Sequence, residues 1–163
     1  MKVNSAKSGT GRVWERKFLG FRLNRQRQIG IAPESIERFK AKVREQWRSR
    51  WSLTSTEVRD RWKRFLRGWW EYFQLAEDRQ SIFRLEGWIR RHMRKYFWWR
   101  WHNKKGRERN LRKLGVKGAL LKVASSARGA WRVAAALAMQ SALTKSVLRT
   151  YGFLMPSDLA AQR

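Results

Sequence analysis

The sequence predicts a mainly α protein, in which an N-terminal β-hairpin precedes a helical bundle and a small C-terminal helical segment. Three observations predict this class. Apolar residues recur at helical spacing through the middle of the chain. A strong helix-start signal lies at residues 54–57. Two short apolar segments separated by a polar turn come before Pro33, and this pattern is typical of a hairpin.

The hairpin is predicted over residues 13–32, after a small, polar and basic stretch at residues 1–12 that we expect to be flexible. Its apolar strings are RKFLGFRL and QIGIA, and the polar string NRQR joins them. Gly20 and Gly30 lie where two backbone segments can approach closely. The hairpin would therefore form the N-terminal edge of the fold.

A helical bundle is predicted over residues 33–102. Pro33 can begin the first helix because its missing N–H costs nothing there. Thr54 and Glu57 fit a capping box, and Leu53 and Val58 fit the accompanying hydrophobic staple. A third helix is expected from about residue 78 to residue 101. The apolar stripes of the first two helices are Ile36, Phe39, Val43 and Trp47, then Val58, Trp62, Phe65, Leu66, Trp69, Tyr72 and Phe73.

The remaining residues, 103–163, are predicted to form a basic, helical nucleic-acid-binding segment. Gly106 interrupts the pattern inside a basic loop. A short helix or turn then follows over residues 109–116, closed by Gly115. The last long helix is expected from about Trp131 to Arg149, with its end marked by Gly152 and Pro156.

The charge of the chain points to a polyanionic partner. Lys and Arg number 39 against 12 Asp and Glu, so the formal net charge is 39 − 12 = +27. Strongly basic chains usually bind nucleic acid or an anionic membrane surface. A disordered basic tail is the alternative, but 11 Trp and a hydrophobic fraction of 42% oppose it. The sequence thus predicts a folded, nucleic-acid-binding protein.

Several features argue against a secreted or membrane protein. Cysteine is absent, which suits a reducing compartment. No apolar run approaches the roughly 20 residues that span a bilayer, and the N-terminus lacks the apolar core of a signal peptide. We therefore expect a soluble cytoplasmic or organellar protein that is not secreted and has no membrane partner.

The third helix and the residues after it carry the predicted binding surface. Ile82, Leu85, Ile89, Met93 and Tyr96 fall on one helical stripe. A solvated face whose cations pair with acids is the alternative reading, but Glu108 is the only acid between positions 90 and 113. The pattern favours a surface that follows RNA phosphates. The predicted RNA-binding residues are Arg84, Arg91, Arg94, Lys95, Trp98, Lys104, Lys105, Arg107, Arg109, Arg112 and Lys113.

The aromatic residues and histidines fit this interpretation without adding a catalytic site. Most of the Trp residues, including Trp69, are expected in the core, whereas Trp98 lies among cations and could stack on a base. His92 and His102 are ten residues apart with no cysteine nearby, so no metal site is expected. No catalytic triad, phosphate loop or convincing carboxylate pair occurs. We predict no cofactor and no enzymatic activity.

Six strings in order give a specific resemblance: FLGF, IAPESIERFKAKVRE, RGWWEYF, WIRRHMRKYFWWRW, RNLRKLG and RGAWR. This series resembles the C-terminal region of reverse transcriptase/maturases encoded by group II introns, over about residues 14–155. The resemblance implies that the hairpin corresponds to the last palm strands and residues 33–102 to the thumb, or maturase-specific domain. Residues from about 103 onward would correspond to the family's DNA-binding segment. The palm motif that binds catalytic metals is missing from this chain.

The resemblance leads to one preferred function and two alternatives. The preferred function is an RNA-binding, maturase-like module that grips structured, intron-like RNA or a template–primer duplex and stabilises its active fold. One alternative is the thumb subunit of a split reverse transcriptase, with palm and fingers on a separate chain. The other is a general DNA-binding or membrane-surface protein. The main expected partner is structured RNA. Additional expected partners are DNA, an RNA–DNA duplex or the separate chain that carries the palm and fingers.

Overall fold

The computed structural model describes residues 17–48 and 53–162, and the predicted flexible stretch 1–12 lies outside them, as do residues 13–16 of the predicted hairpin. The predicted fold class is confirmed, because short antiparallel strands precede a mainly helical chain. Within the described residues the elements are β1 (Lys17–Phe18), β2 (Phe21–Leu23), β3 (Ile29–Ile31), α1 (Pro33–Gln46), α2 (Ser55–Phe73), α3 (Gln80–Phe83), α4 (Glu86–Arg100), α5 (Lys104–Lys113), α6 (Gly118–Ser126), α7 (Ala130–Val133), α8 (Leu137–Ala142), α9 (Lys145–Thr150) and α10 (Pro156–Ala160).

The three strands form one antiparallel sheet in the order β1–β2–β3, with Phe21 opposite Ile31. The first apolar string contributes two strands because it reverses at Leu19 and Gly20, which both have positive φ (49° and 81°). Two helices hold this reversal. The Tyr72 hydroxyl donates to the Leu19 carbonyl oxygen (2.6 Å), and the Ser35 hydroxyl of α1 donates to that of Gly20 (3.1 Å).

The start signals of α1 and α2 are confirmed. Pro33 is the first residue of α1. At the start of α2, the Thr54 hydroxyl accepts a hydrogen bond from the Glu57 N–H (3.2 Å), and the Glu57 carboxylate accepts from the Thr54 N–H (2.7 Å). This reciprocal pair satisfies two N–H groups that lack partners within the helix. The starts of α1 and α2 thus follow from local sequence.

The buried stripe of α2 differs from the predicted one at its C-terminal end. Trp62 and Leu66 are fully buried, and the stripe continues through Trp70 at 5% exposure. Trp69 is only partly buried, and Tyr72 is 49% exposed. The assignment of Trp69 to the buried stripe is therefore wrong. Successive steps of four residues from Trp62 and Leu66 lead to Trp70, so Trp69 lies at the edge of the core.

The predicted third helix is divided in two, α3 and α4. The backbone tightens at Leu85, whose N–H donates to the Ile82 carbonyl oxygen three residues earlier (3.0 Å). α4 then begins at Glu86, a buried carboxylate that accepts from the Ser157 N–H (2.8 Å) and from Lys145 Nζ (3.2 Å). The predicted apolar stripe is buried along both helices, with Leu85 half-buried. A distant contact therefore sets where α4 begins.

The single long helix expected from Trp131 to Arg149 is wrong. The structure has α7, α8 and α9 in its place, because Ala136 is extended and Thr144 caps a new helix by accepting from the Val147 N–H (3.3 Å). Gly152 follows α9 with φ 82°, as an end signal should. Pro156 begins α10 and does not mark an end, since proline is tolerated at the first helical position.

One continuous hydrophobic cluster joins the described helices on both sides of residue 103, so the domain boundary expected there remains a prediction. Fully buried Trp62 links the two parts, because its indole Nε1 donates to the Leu154 carbonyl oxygen (2.8 Å). Among the helices of residues 17–48 and 53–162, none combines the length and apolar character needed to cross a lipid bilayer.

Candidate nucleic-acid interface

The basic residues after α4 lie on a helix, whereas a surface loop was predicted around Gly106. Asn103 caps α5 by accepting from the Gly106 N–H through its side-chain oxygen (2.8 Å). A side chain at Gly106 would clash with the Trp101 carbonyl oxygen, so this glycine permits close approach and does not end a helix. Gly115 closes α5 with φ 87°, as predicted.

Five exposed cations follow α5, and we call them the α5 basic face: Lys104, Lys105, Arg109, Arg112 and Lys113. Glu108 is the only acid in the α5 sequence, and it pairs with Arg112 (3.0 Å). Fully buried Leu111 anchors the opposite side of the helix in the core. The arrangement presents positive charge on a rigid element, which suits contact with a row of phosphates.

Arg107 differs from its neighbours because the core holds it. Its guanidinium carbon lies 3.3 Å from the centroid of the Trp98 ring. Its Nε donates to the Trp98 carbonyl oxygen (3.3 Å), and Nη2 donates to that of His102 (2.9 Å). Partial burial lowers the Arg107 pKa. Arg107 therefore has a structural role, and its contact with RNA stays a prediction.

Trp98 is not available for stacking on a base, so that prediction is wrong. The side chain is only 5% exposed, with Arg107 over its ring and indole Nε1 3.5 Å from the Ala124 carbonyl oxygen of α6. At Trp98, the polar side of α4 is thus covered by α5 and α6. A helical projection of α4 alone contains no information about those later helices.

Arg94 also lies inside the protein, although an open face was predicted for it. It is 7% exposed, and its Nε donates to the Leu143 carbonyl oxygen at the end of α8 (3.1 Å). Burial, and secondarily the charge of Arg90, lower the Arg94 pKa to about 10. Arg94 satisfies a helix end that has no partner of its own, so the surface prediction is wrong.

Three predicted residues of this region remain accessible. Arg84 is exposed, whereas Arg91 and Lys95 are half-buried. The Arg91 guanidinium lies 4.0 Å from the Trp131 ring centroid, and its Nε donates to the Trp131 carbonyl oxygen (2.9 Å). Burial, and next the charge of Arg48, lower the Lys95 pKa. These side chains remain candidates for phosphate contact.

Arg44 of α1 belongs to the same surface, although the sequence analysis does not predict it. Arg44 is exposed, and its guanidinium carbon lies 5.5 Å from the centroid of the Trp88 ring of α4. A cation over an indole within about 6 Å is attracted to the ring face. No local spacing could have revealed this pair, because 44 residues separate its members.

The two histidines are not arranged for metal binding. His92 is buried between Trp88 and Trp131, and burial is the main cause that lowers its pKa to about 4. Within residues 17–48 and 53–162, no group of three or more histidine or acidic side chains is placed to hold a metal ion. His92 is thus an uncharged packing residue near neutral pH.

A comparison with known protein families finds a match over part of the chain. Residues 36–115 match the family model of the group II intron maturase-specific domain, which is just under half of the chain. The match extends from α1 to the glycine that closes α5, and it includes the α5 basic face. No curated protein matches the chain significantly. The match supports a maturase-related domain, so residues 36–115 are similar to the maturase-specific domain of group II introns.

Proposed function

We propose that the protein is an RNA-binding, maturase-like module that grips structured, group II intron-like RNA and stabilises its active fold. It has no catalytic site of its own in this proposal. The observation that carries the proposal is the α5 basic face, which lies inside the matched region and holds five exposed cations with a single acid on the helix.

The mechanism follows from the rigidity of that face. Structured RNA is recognised largely through its shape and backbone, and cations lower the repulsion where RNA strands pack together. Buried Leu111 and the Arg107–Trp98 contact hold α5 in position before RNA arrives. Ordering the binding surface in advance reduces the entropy lost on binding.

A second candidate is the thumb subunit of a split reverse transcriptase whose palm and fingers lie on another chain. Two apolar residues at the turn between β1 and β2 favour it, since Phe18 is 77% exposed and Leu19 is 66% exposed. A partner chain would cover these side chains. Copurification from the native host with a chain that carries the catalytic carboxylates would support this candidate, and the absence of such a chain would oppose it.

The test of RNA binding is a salt titration with two matched variants. One changes Lys104, Lys105, Arg109 and Lys113 to Gln, and the other changes four exposed arginines elsewhere: Arg25, Arg27, Arg61 and Arg64. Arg107 is left intact because the core holds it, and Arg112 because it pairs with Glu108. Affinity for a group II intron RNA is measured between 50 and 200 mM salt, and thermal melts accompany each variant.

The parent's affinity should fall by roughly 10³–10⁵ over this range if about 6–10 phosphates are contacted on a B-DNA-like scale. The α5 variant should lose affinity and up to about four units of salt slope, one for each contact removed. The control should lose less, because only the general field changes. Equal effects of the two variants would contradict the assignment to α5, and a shallow slope for the parent would contradict the function.

A further inference from the structure

Three cation–indole pairs meet on one surface, where α4 contacts α1 and α7. The distances from cation to ring centroid are 5.5 Å for Arg44 and Trp88, 4.7 Å for Lys95 and Trp99, and 4.0 Å for Arg91 and Trp131. Lys95 also lies 5.9 Å from the Trp131 centroid, so the Lys95 and Arg91 pairs are contiguous. The His92 ring, which contacts both Trp88 and Trp131, connects the third pair to them. We call these six residues the seam cluster.

The seam cluster joins two parts of the chain. Arg44 and the α4 residues lie within the matched range 36–115, whereas Trp131 belongs to α7, outside it. Trp131 is 37% exposed and Arg44 is exposed, while Arg91 and Lys95 are half-buried. A ligand could therefore reach the cluster and contact both parts at once.

The positive charge of the cluster is compensated only in part: near Arg44, a hydrogen bond from Lys40 and, to a lesser extent, the charge of Arg44 lower the pKa of the Glu37 carboxylate. Within the described residues, no ion pair joins Arg44, Arg91 or Lys95 to a carboxylate. The buried His92 ring lies between Trp88 and Trp131 (4.4 and 4.7 Å between centroids) and adds no charge near neutral pH. Cations that are partly desolvated and unpaired raise the free energy of the protein, and a bound anion would lower it.

The geometry also indicates which part of a nucleotide would be contacted. A cation lies over a face of each indole, so a base could not stack on that face without displacing the cation. The guanidinium of Arg91 uses Nε on the Trp131 carbonyl oxygen, and its terminal nitrogens carry the remaining N–H donors, which match phosphate oxygens. The chemistry therefore favours a phosphodiester over a base.

We propose that the seam cluster binds backbone phosphates of RNA. Bound RNA thereby holds α7 against residues 36–115, the range that matches the maturase-specific domain. This inference rests on the proposed function and adds a second contact region to the α5 basic face. The indoles act by positioning: they fix where the cations lie, and the cations contact the phosphate.

The test separates charge from position. Arg91→Gln with Lys95→Gln removes two charges from the seam cluster, and Arg25→Gln with Arg27→Gln removes two from the loop between β2 and β3. Trp131→Leu keeps every charge but removes the ring that holds Arg91, and Trp131→Phe keeps an aromatic face. Binding of a fluorescein-labelled RNA hairpin, and of the same hairpin made of DNA, is measured by anisotropy across 50–200 mM salt.

The seam charge variant should lose about two units of salt slope with RNA, and its loop control less. Trp131→Leu should weaken RNA binding by roughly three- to tenfold, the scale of one or two cation–indole contacts, and Trp131→Phe should restore most of it. A Trp131→Leu protein that melts like the parent and binds equally well would overturn the proposal. If Trp131→Leu does not fold, the proposal is tested by the seam charge variant and its loop control alone. Equal salt slopes of RNA binding for these two variants would then overturn the proposal.

Failure of this inference can be distinguished from failure of the proposed function. If the parent binds RNA with a steep salt dependence and only the α5 variant loses it, the seam cluster has no part in binding. If the parent binds RNA with a shallow slope, the proposed function fails as well. Stronger seam-dependent binding to the DNA hairpin than to RNA would contradict the choice of RNA as the occupant.

Discussion

Changing Arg107 to Gln should destabilise the fold without removing a main RNA contact. The guanidinium lies on the ring of buried Trp98 and donates two hydrogen bonds, to the carbonyl oxygens of Trp98 and His102. Its position joins the start of α5 to the end of α4. Its exposed neighbour Arg109 has none of these contacts and is the matched control.

The expected magnitude comes from these contacts. Each hydrogen bond contributes about 0.5–1.5 kcal/mol net, and a cation over an indole about 0.5–2 kcal/mol. Since Arg107 is only half-buried, we expect a loss of about 2–3 kcal/mol in the free energy of unfolding. That loss corresponds to a decrease of roughly 4–12 °C in Tm for a chain of this size.

The loss in the free energy of unfolding is measured by urea titration monitored by far-UV circular dichroism, and the decrease in Tm by thermal melts. Arg109→Gln should stay within about 0.5 kcal/mol of the parent, as exposed substitutions usually do, yet it should lower the salt slope of RNA binding by about one unit. Arg107→Gln should show the opposite pattern. An Arg107→Gln protein as stable as the parent would refute the structural role assigned to this residue.

Three further predictions follow from the core. Trp70→Ala should cost about 3–5 kcal/mol in urea unfolding, and Trp69→Ala clearly less, because Trp70 is buried whereas Trp69 is only partly buried; equal losses would contradict this difference. Gly106→Ala should lower Tm, because the added methyl group meets the Trp101 carbonyl oxygen; an unchanged Tm would show that α5 can shift. The pKa of His92, about 4 when folded against 6.5 when unfolded, means that the unfolded chain binds more protons between these values. The free energy of unfolding should therefore fall as pH decreases from 6.5 to 4, and His92→Leu should remove this part of the decrease.

The parts of the fold that could be predicted depend on local signals. Pro33 marks a helix start because it lacks an N–H that would need a partner there. The Thr54–Glu57 pair marks one because its side chains accept hydrogen bonds from N–H groups of the first turn. The loop predicted around Gly106 is wrong, because in the sequence a glycine that avoids a clash looks the same as one that ends a helix. The sequence does not predict Thr144 as a helix cap, because the Ala-rich residues around it are compatible with one long helix.

In the candidate site, too, some features follow from local sequence and others depend on packing between distant parts of the chain. Exposure of the α5 cations follows from a helix with one apolar anchor, Leu111, and few acids. The burial of Arg94 and Trp98 could not be predicted, because it depends on α5, α6 and α8 packing over the polar side of α4. A helical wheel assigns two faces to a helix, whereas α4 has neighbours on most of its surface.

The central claim is that this protein grips structured, group II intron-like RNA. The most direct test is ultraviolet crosslinking in the native host, followed by sequencing of the RNA attached to the protein and mapping of the crosslinked peptides. We predict enrichment of group II intron or similarly folded RNA over its abundance in the cell, with crosslinks in peptides of α5. Recovery of RNA in simple proportion to its abundance, or crosslinks that avoid α5, would contradict the claim.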